Sequence, residues 1–459
     1  MRIRLDIPLK IREVEKSIGV PIKAVDETVS HVTTDSRLAE RGDLFFALNR
    51  ANDTSNGFIS EALSRGATVI SECDGLGCIS VKSSVRALGD LAAYYKSRLE
   101  GLKSTVMITG SVGKSTTKEF CKEILSRKYT VHSNEGNLNN LIGLPISILK
   151  AKRNTEILVL EAGMNALGEI SRLSRIARPD IGIITNVGTA HIGMLGGRQM
   201  IARAKLEILD GMEGGRLLVP EDEPLLSHTD SLKVEFSGRE QDYSLIAKEA
   251  LPHYTDFSFF RRGVHMLDGR LNIGGKHLTR ALAFALSVGD RLGLSLEELA
   301  EGVNNIKESS TRTRLVKIRN FTVLDDSYNS SAESVIAALE ELSLFKDRKR
   351  SALLGDMLEL GDFSECEHER IGEAAAKSRL SALFAYGEFA EVIKRGAIRG
   401  GMSSEKIFIN TDASSPRLTA EQIINNVSDG EIILFKASHA LKLSKICDLL
   451  KEMTEKQKN

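Results

Sequence analysis

Val106-Met107-Ile108-Thr109-Gly110-Ser111-Val112-Gly113-Lys114-Ser115-Thr116-Thr117-Lys118-Glu119-Phe120 is the stretch on which the fold turns. An apolar run leads in, two glycines follow, and Lys-Ser-Thr opens a segment with helical spacing. The order is strand, loop, helix. Glycine permits the tight turn that aims successive backbone N–H groups at one point, a geometry that binds anions. The helix that starts there adds its positive end. Lys114 offers a point charge for β- and γ-phosphates, and the Ser115 hydroxyl suits Mg²⁺. Gly110, Ser111, Val112, Gly113, Lys114, Ser115 and Thr116 are therefore the expected phosphate-binding residues. Their GxxGKS spacing is two residues shorter than the usual GxxxxGK[ST] loop. The competing reading is an ordinary glycine-rich turn between strand and helix.

Outward from this loop, strands and helices alternate. Residues 156–161 read as a buried strand ending in Glu161, 168–176 as a helix, and 181–186 as a strand ending in Asn186. Near-continuous apolar runs between helices predict a parallel sheet covered on both faces. Such sheets bind ligands at the carboxyl ends of their strands, where the loop, Glu161 and Asn186 all fall. The fold class is thus α/β with three domains. Residues 1–83 form a small N-terminal α/β domain, 84–310 a central P-loop parallel-sheet domain, and 311–459 a C-terminal Rossmann-like domain. The first has strands over 43–48 and 66–70 around a helix over 58–65. The second opens with a helix over 85–99 and carries a β-rich insert over 230–275, then helices over 278–292 and 295–303. The third has strands over 322–326, 350–356, 382–387 and 431–436, with helices over 334–342 and 368–376. The Lys/Glu-rich tail after Leu450 is expected to fray.

Composition agrees with a soluble, multidomain chain. At 459 residues it exceeds one ordinary core. Apolar residues make up 42% and charged residues 27%, with 62 basic against 62 acidic side chains. That balance asks for neither nucleic acid nor an anionic membrane surface. The five cysteines are scattered without a CxxC pair, so a reducing cytoplasm is the expected compartment and neither disulfides nor zinc are supported. The N-terminus has no apolar core of a signal peptide, and no run is long enough to span a membrane.

Further motifs accompany the loop. GSVGKST, the segment from Glu161 to Ile170, the segment from Asn186 to His191 and Ala204-Lys205-Leu206-Glu207 together resemble the Mur ligase superfamily of ATP-dependent amide-forming enzymes. The likeness runs nearly end to end. It includes Thr33-Thr34-Asp35-Ser36-Arg37, residues 42–47, residues 134–145, Asp325-Asp326-Ser327-Tyr328-Asn329 and residues 354–361. The last two elements are most similar to the members that join D-alanyl-D-alanine to a UDP-N-acetylmuramoyl-tripeptide. Departures occur where Thr54-Ser55-Asn56-Gly57 replaces Asp-Gly-His, where Ser330-Ser331-Ala332 replaces Ala-Asn-Pro, and where His439 stands for an arginine. The segment from Gly275 to Arg280 keeps the family's histidine, His277, without the two amides of the adenine-binding helix.

The resemblance implies a mechanism. ATP phosphorylates the tripeptide carboxylate, and the amine of D-alanyl-D-alanine attacks the acyl phosphate. Lys114, Asn186, His191 and Lys205 are implied as catalytic, and Ser115, Glu161, His191 and Lys205 as Mg²⁺ ligands. Lys205 is expected to be carbamylated, since a carbamate offers hard oxygens where an ammonium would repel the metal. His277, Arg314 and Asp326 are implied to meet the nucleotide. Ser36, Arg37 and Phe46 are implied for the uridine-diphosphate end, and Asn137, Asn139, Asn140, Tyr328 and Asn329 for the rest of the substrates. The likeness further implies a monomer and a role in peptidoglycan precursor synthesis. The alternatives are the same reaction on another acid and amine, a P-loop ATPase without ligase activity, and an inactive protein that keeps the fold.

Overall fold

The computed structural model describes every residue except 22–26, 49–55, 76, 236–240, 308–312, 319 and 457–459. The 310/311 domain boundary, Thr54 and Ser55 of the departing motif, and the end of the charged tail lie outside the described residues. The chain forms two compact units. One comprises residues 1–109, 128–184 and 204–218; the other comprises 110–127, 185–203 and 219–459.

The first unit begins with a five-stranded sheet in the order β1-β2-β3-β4-β5. Its strands are β1 (Arg2–Lys10), β2 (Thr28–Thr33), β3 (Leu44–Phe46), β4 (Thr68–Ser71) and β5 (Ile79–Ser80). β1 runs antiparallel to β2 and the rest are parallel. Ile3, Leu5, Ile7 and Leu9 of β1 are buried while the charged residues between them face out, the period-two pattern of a half-buried strand. The N-terminus, read above only for what it lacks, is thus a strand.

The same unit holds the parallel strands β6 (Ser104–Thr109), β7 (Val131–Ser133), β8 (Ile157–Glu161) and β9 (Ile181–Ile184). β10 (Arg216–Pro220) pairs with β9 and leaves the unit after Leu218. Their order is β7-β8-β6-β9-β10. β6, β8 and β9 are buried along their whole length, as their apolar runs predict. Register places Ile108 opposite Glu161 and Thr109 opposite Ile184, so three strands end level with one another.

In the second unit, the expected β-rich insert is β11 (Leu232–Glu235), β12 (Tyr243–Leu251), β13 (Tyr254–Arg261) and β14 (Val264–Leu271). The last three form an antiparallel meander. The C-terminal sheet consists of β15 (Arg314–Ile318), β16 (Phe321–Asp325), β17 (Arg350–Gly355), β18 (Leu383–Tyr386), β19 (Ile407–Asn410) and β20 (Ile432–Lys436). Its order is β15-β16-β20-β17-β18-β19, with β15 joined to β16 as a hairpin and the other pairs parallel. The helix Lys114–Leu125 buries Phe120, Cys121, Ile124 and Leu125 and packs on the helices Lys276–Arg291 and Leu296–Asn305. Contact is close enough that a Cβ on Gly302 would lie 2.7 Å from Ile124 Cα. Among the described residues, no helix is long and apolar enough to cross a membrane.

Candidate active site

The glycine-rich loop expected to bind phosphate begins immediately after β6. Gly110 sits at φ 148° against Thr185, whose hydroxyl occupies the place a Cβ would take. Gly113 is left-handed (φ 83°) and stands directly before the helix Lys114–Leu125. Two neighbours lock the loop. Thr185 Oγ1 donates to Val112 O at 2.6 Å. Asn186 Oδ1 accepts from both Ser111 N and Val112 N at 3.0 Å, while its Nδ2 donates to Val112 O at 3.2 Å. Asn186 thereby spends its side chain on the backbone that precedes the helix. Lys114 Nζ folds back onto Gly110 O at 2.8 Å and Ser111 O at 3.3 Å. The sequence-expected loop residues and Asn186 are thus brought together as one framework.

In the first unit, Glu161 closes β8 and is buried (1% exposed). Asn139 Nδ2 donates to its Oε1 at 2.7 Å. Asn134 fixes the strand end by accepting from Glu161 N at 2.8 Å and donating to Glu161 O at 3.0 Å and Leu138 O at 2.9 Å. A buried carboxylate oriented by an amide is a donor that a hard cation such as Mg²⁺ takes. Asn137 O accepts from Asn139 N within the same turn, and Asn140 Oδ1 accepts from Ile142 N and Gly143 N at the start of the helix Gly143–Leu149. Lys205 is buried at 2% exposure.

A cleft of about 640 Å³ opens at Val112, Gly113 and Thr116 in the second unit. Its walls come from the segment 185–189, the helix Lys276–Arg291 and the helix Ala332–Leu342. His277 lines it, its side chain 30% exposed and its Nε2 3.7 Å from Glu341 Oε2; desolvation, only partly offset by Asp326, lowers the imidazole from 6.5 to about 4. It is therefore neutral near pH 7. Arg280 also lines the cleft, paired with Asp222.

Residues 185–195 meet the C-terminal part of the same unit. Thr189 Oγ1 lies 3.1 Å from Glu333 Oε2 and 3.3 Å from Glu367 Oε2, and Arg370 pairs with both carboxylates. His191 Nδ1 is 2.6 Å from Glu359 Oε2. Both residues are left-handed, at φ 64° and 65°, an uncommon conformation for side chains other than glycine. Beside them a Cβ on Gly193 would come within 2.5 Å of Gly361 N. His368 supports this turn: its Nε2 accepts from Met357 N at 2.8 Å.

The other expected residues occupy distinct settings. Ser36 Oγ donates to Glu61 Oε2 at 2.6 Å, and Arg37 lies exposed on Asp35, whose carboxyl its hydrogen bond holds down at about 2. Phe46 is wholly buried in β3. Arg314 is exposed on β15, opposite Asp325. Asp326 is paired with Lys436 at 2.7 Å, and the same Nζ donates to Asn329 O at 2.9 Å. Tyr328 is partly exposed, its ring 5.9 Å from that of His439. The sequence reading missed Lys436, Thr189, Glu333, Glu359, Glu367 and Arg370. Lys436 carried a signal as a lysine closing a run of apolar residues, and Thr189 and Glu359 lie within the quoted segments 186–191 and 354–361; Glu333, Glu367 and Arg370 are ordinary helix charges until folded.

Comparison with known proteins accords with this arrangement. Residues 108–288 match the Mur ligase middle domain, and residues 311–439 match the Mur ligase glutamate ligase domain. The UDP-N-acetylmuramoyl-tripeptide–D-alanyl-D-alanine ligase of Bacillus subtilis is 34% identical, over 95% of this chain and 98% of that one. A crystal structure of MurF from Acinetobacter baumannii aligns with TM-score 0.88 at 28% identity, covering 98% of this chain and 100% of the other. MurF from Thermotoga maritima, solved in complex with ADP, aligns with TM-score 0.81 at 29% identity over 93% and 98%. The α/β architecture with its shortened loop, and matches that together span most of the sequence, place the chain in the Mur ligase family.

Proposed function

We propose that the protein is an ATP-dependent ligase that joins D-alanyl-D-alanine to UDP-N-acetylmuramoyl-tripeptide, a step of peptidoglycan precursor synthesis. The observation that carries this is the phosphate loop, locked by Asn186 and opening on the cleft, in a chain 34% identical nearly end to end to a ligase of that name. The tripeptide carboxylate oxygen attacks the γ-phosphorus, the bond to the β-phosphate oxygen breaks, and ADP leaves. The amine nitrogen of the dipeptide then attacks the acyl carbon, and phosphate departs as the amide forms. Catalysis of this kind rests on positioning and charge neutralisation.

Each residue's part follows from its chemistry. Gly110 to Thr116 cradle the phosphates, and Lys114 turns from Gly110 O to the γ-phosphate. Asn186 holds the loop in shape. Mg²⁺, when bound, neutralises phosphate charge. Ser115 Oγ, Glu161, a carbamate on Lys205 and His191 are proposed as ligands of two Mg²⁺ ions, with His191 on a different ion from Ser115 and Glu161, each on its own donor chemistry. Glu359 faces His191 Nδ1, so the metal role falls to Nε2. Asp326, Arg314 and His277 are assigned to the nucleotide, Tyr328 and Asn329 to the dipeptide, and Ser36, Arg37, Phe46, Asn137, Asn139 and Asn140 to the UDP-linked substrate. Phe46 can serve only through its backbone, because its ring is core. We retain domains at 1–83, 84–310 and 311–459, a monomer, and a cytoplasmic location.

The test is phosphate release by the purified protein with ATP and Mg²⁺. Release that requires both the UDP-muramyl-tripeptide and D-alanyl-D-alanine supports the assignment. Turnover on another acid and amine pair, with none on this one, refutes the substrates and keeps the reaction.

A further inference from the structure

Thr189 is the pivot of the segment that follows β9. One residue before it, Gly188 N donates to Ser111 Oγ at 2.9 Å, which ties the segment to the glycine-rich loop that Asn186 also grips. Thr189 O accepts from Ile192 N at 3.1 Å and so closes the turn that carries His191. That histidine stands at φ 64°, a left-handed conformation that a residue other than glycine keeps only when its surroundings over-determine it. The backbone around Thr189 thus links Asn186 and His191, two residues on which the proposed chemistry depends.

The side chain of Thr189 meets charge. The residue is 5% exposed, and its hydroxyl lies 3.3 and 3.1 Å from the two oxygens of Glu333 and 3.3 Å from Glu367 Oε2. Glu333 stands in the first turn of the helix Ala332–Leu342, and Glu367 belongs to the helix Ser364–Lys377. Arg370 Nη1 reaches both carboxylates, at 3.4 and 3.1 Å. Glu333 comes so close to the segment that a Cβ on Gly188 would lie 2.9 Å from its Oε2. Two negative charges therefore share one guanidinium, and the Thr189 hydroxyl supplies the further donor. A hydrogen bond to an ionised acceptor is about twice as strong as one between neutral groups. Carboxylates repel a polyphosphate, so the cluster is suited to holding protein and not nucleotide.

We propose that Thr189 is a positioning residue for the ligation: its hydroxyl, captured by Glu333 and Glu367, holds the segment 186–191 so that Asn186 shapes the loop and His191 keeps its left-handed turn. The consequence for catalysis rests on the proposed function; the captured hydroxyl does not.

Amide hydrogen exchange of the full chain reads the segment directly, with no substrate present. In Thr189→Val, which keeps the shape and loses the donor, amides of 188–195 should exchange at least about tenfold faster than in wild type, and in Thr189→Ser they should match wild type. Unchanged exchange in Thr189→Val overturns the proposal. So does acceleration spread evenly over the chain, which marks a loss of global stability and not of local hold. Steady-state ligation then separates positioning from contact. Thr189→Val should lower kcat by about tenfold and leave KM for ATP within about threefold, with kcat restored in Thr189→Ser. A KM that rises as kcat falls would place the hydroxyl on the nucleotide, and an unaltered kcat would deny the positioning role; either overturns the proposal. Glu333→Gln combined with Thr189→Val should be no slower than the slower single variant, whereas losses that multiply would show that the two side chains act apart. Absence of ligation by the wild type refutes the proposed function alone, since exchange still decides what holds the segment.

Discussion

Replacing Asn186 by alanine removes the two hydrogen bonds that its Oδ1 accepts from Ser111 N and Val112 N, each 3.0 Å long. These bonds turn the loop so that the N–H groups of the following helix start are presented to an anion. Each is worth about 1 kcal/mol net, because water replaces it when it is lost. Together they contribute about 2 kcal/mol of preorganisation, which corresponds to roughly thirtyfold in Kd. The assay is calorimetric titration with ADP and Mg²⁺. Asn186→Asp separates shape from charge, since it keeps both acceptor bonds and adds a negative charge beside the phosphates. At about 6 Å and an effective dielectric near 20, that repulsion is roughly 3 kcal/mol, so Asn186→Asp should bind ADP more weakly than Asn186→Ala. Tighter binding by Asn186→Ala would show that the amide occupies the anion's own place, and the reasoning would fail. Unaltered binding by Asn186→Asp would deny that the loop is the phosphate site.

Three other perturbations address separate parts. Gly193→Ala drives a Cβ against Gly361 N and Leu360 C, so it should lower ligation at least tenfold while ADP affinity stays within threefold; equal losses in both would refute a local effect. His277 is lowered by desolvation to about 4 from 6.5, so the unfolded chain binds more protons between those values. Stability is complete above pH 6.5 and falls as pH drops through that window. The thermal midpoint should therefore fall more between pH 7 and pH 5 in wild type than in His277→Gln, and identical profiles would exclude the histidine as the cause. Labelled bicarbonate should give a carbamate resonance in wild type that is missing in Lys205→Arg, whose guanidinium does not form one; no such resonance in wild type would remove Lys205 from the metal ligands.

Much of the architecture was legible because it is written in local chemistry. The apolar runs of β6, β8 and β9 are buried along their length, so periodicity sufficed to place them. Less apolar or less buried strands escaped: β7 is only half-buried throughout, β19 is half-buried at two of its four residues, and β10 begins with an exposed arginine and ends in proline. β1 displays its alternation openly, with Ile3, Leu5, Ile7 and Leu9 buried at every second position.

The site divides along the same line. Sequence alone placed the glycine-rich loop between β6 and the helix that follows, because an apolar run, two glycines and a helical segment are local features. It also placed Glu161 at the end of β8, whereas the strand expected to run to Asn186 stops at Ile184 and leaves Asn186 two residues beyond it. Tertiary structure alone decided what these side chains touch. Asn186 grips the loop's own backbone, His191 faces Glu359 168 residues away in sequence, and Lys436 ties down Asp326 across 110 residues. Such pairings carry no local period or composition, because their energy comes from burial and charge complementarity between segments that only folding brings within reach.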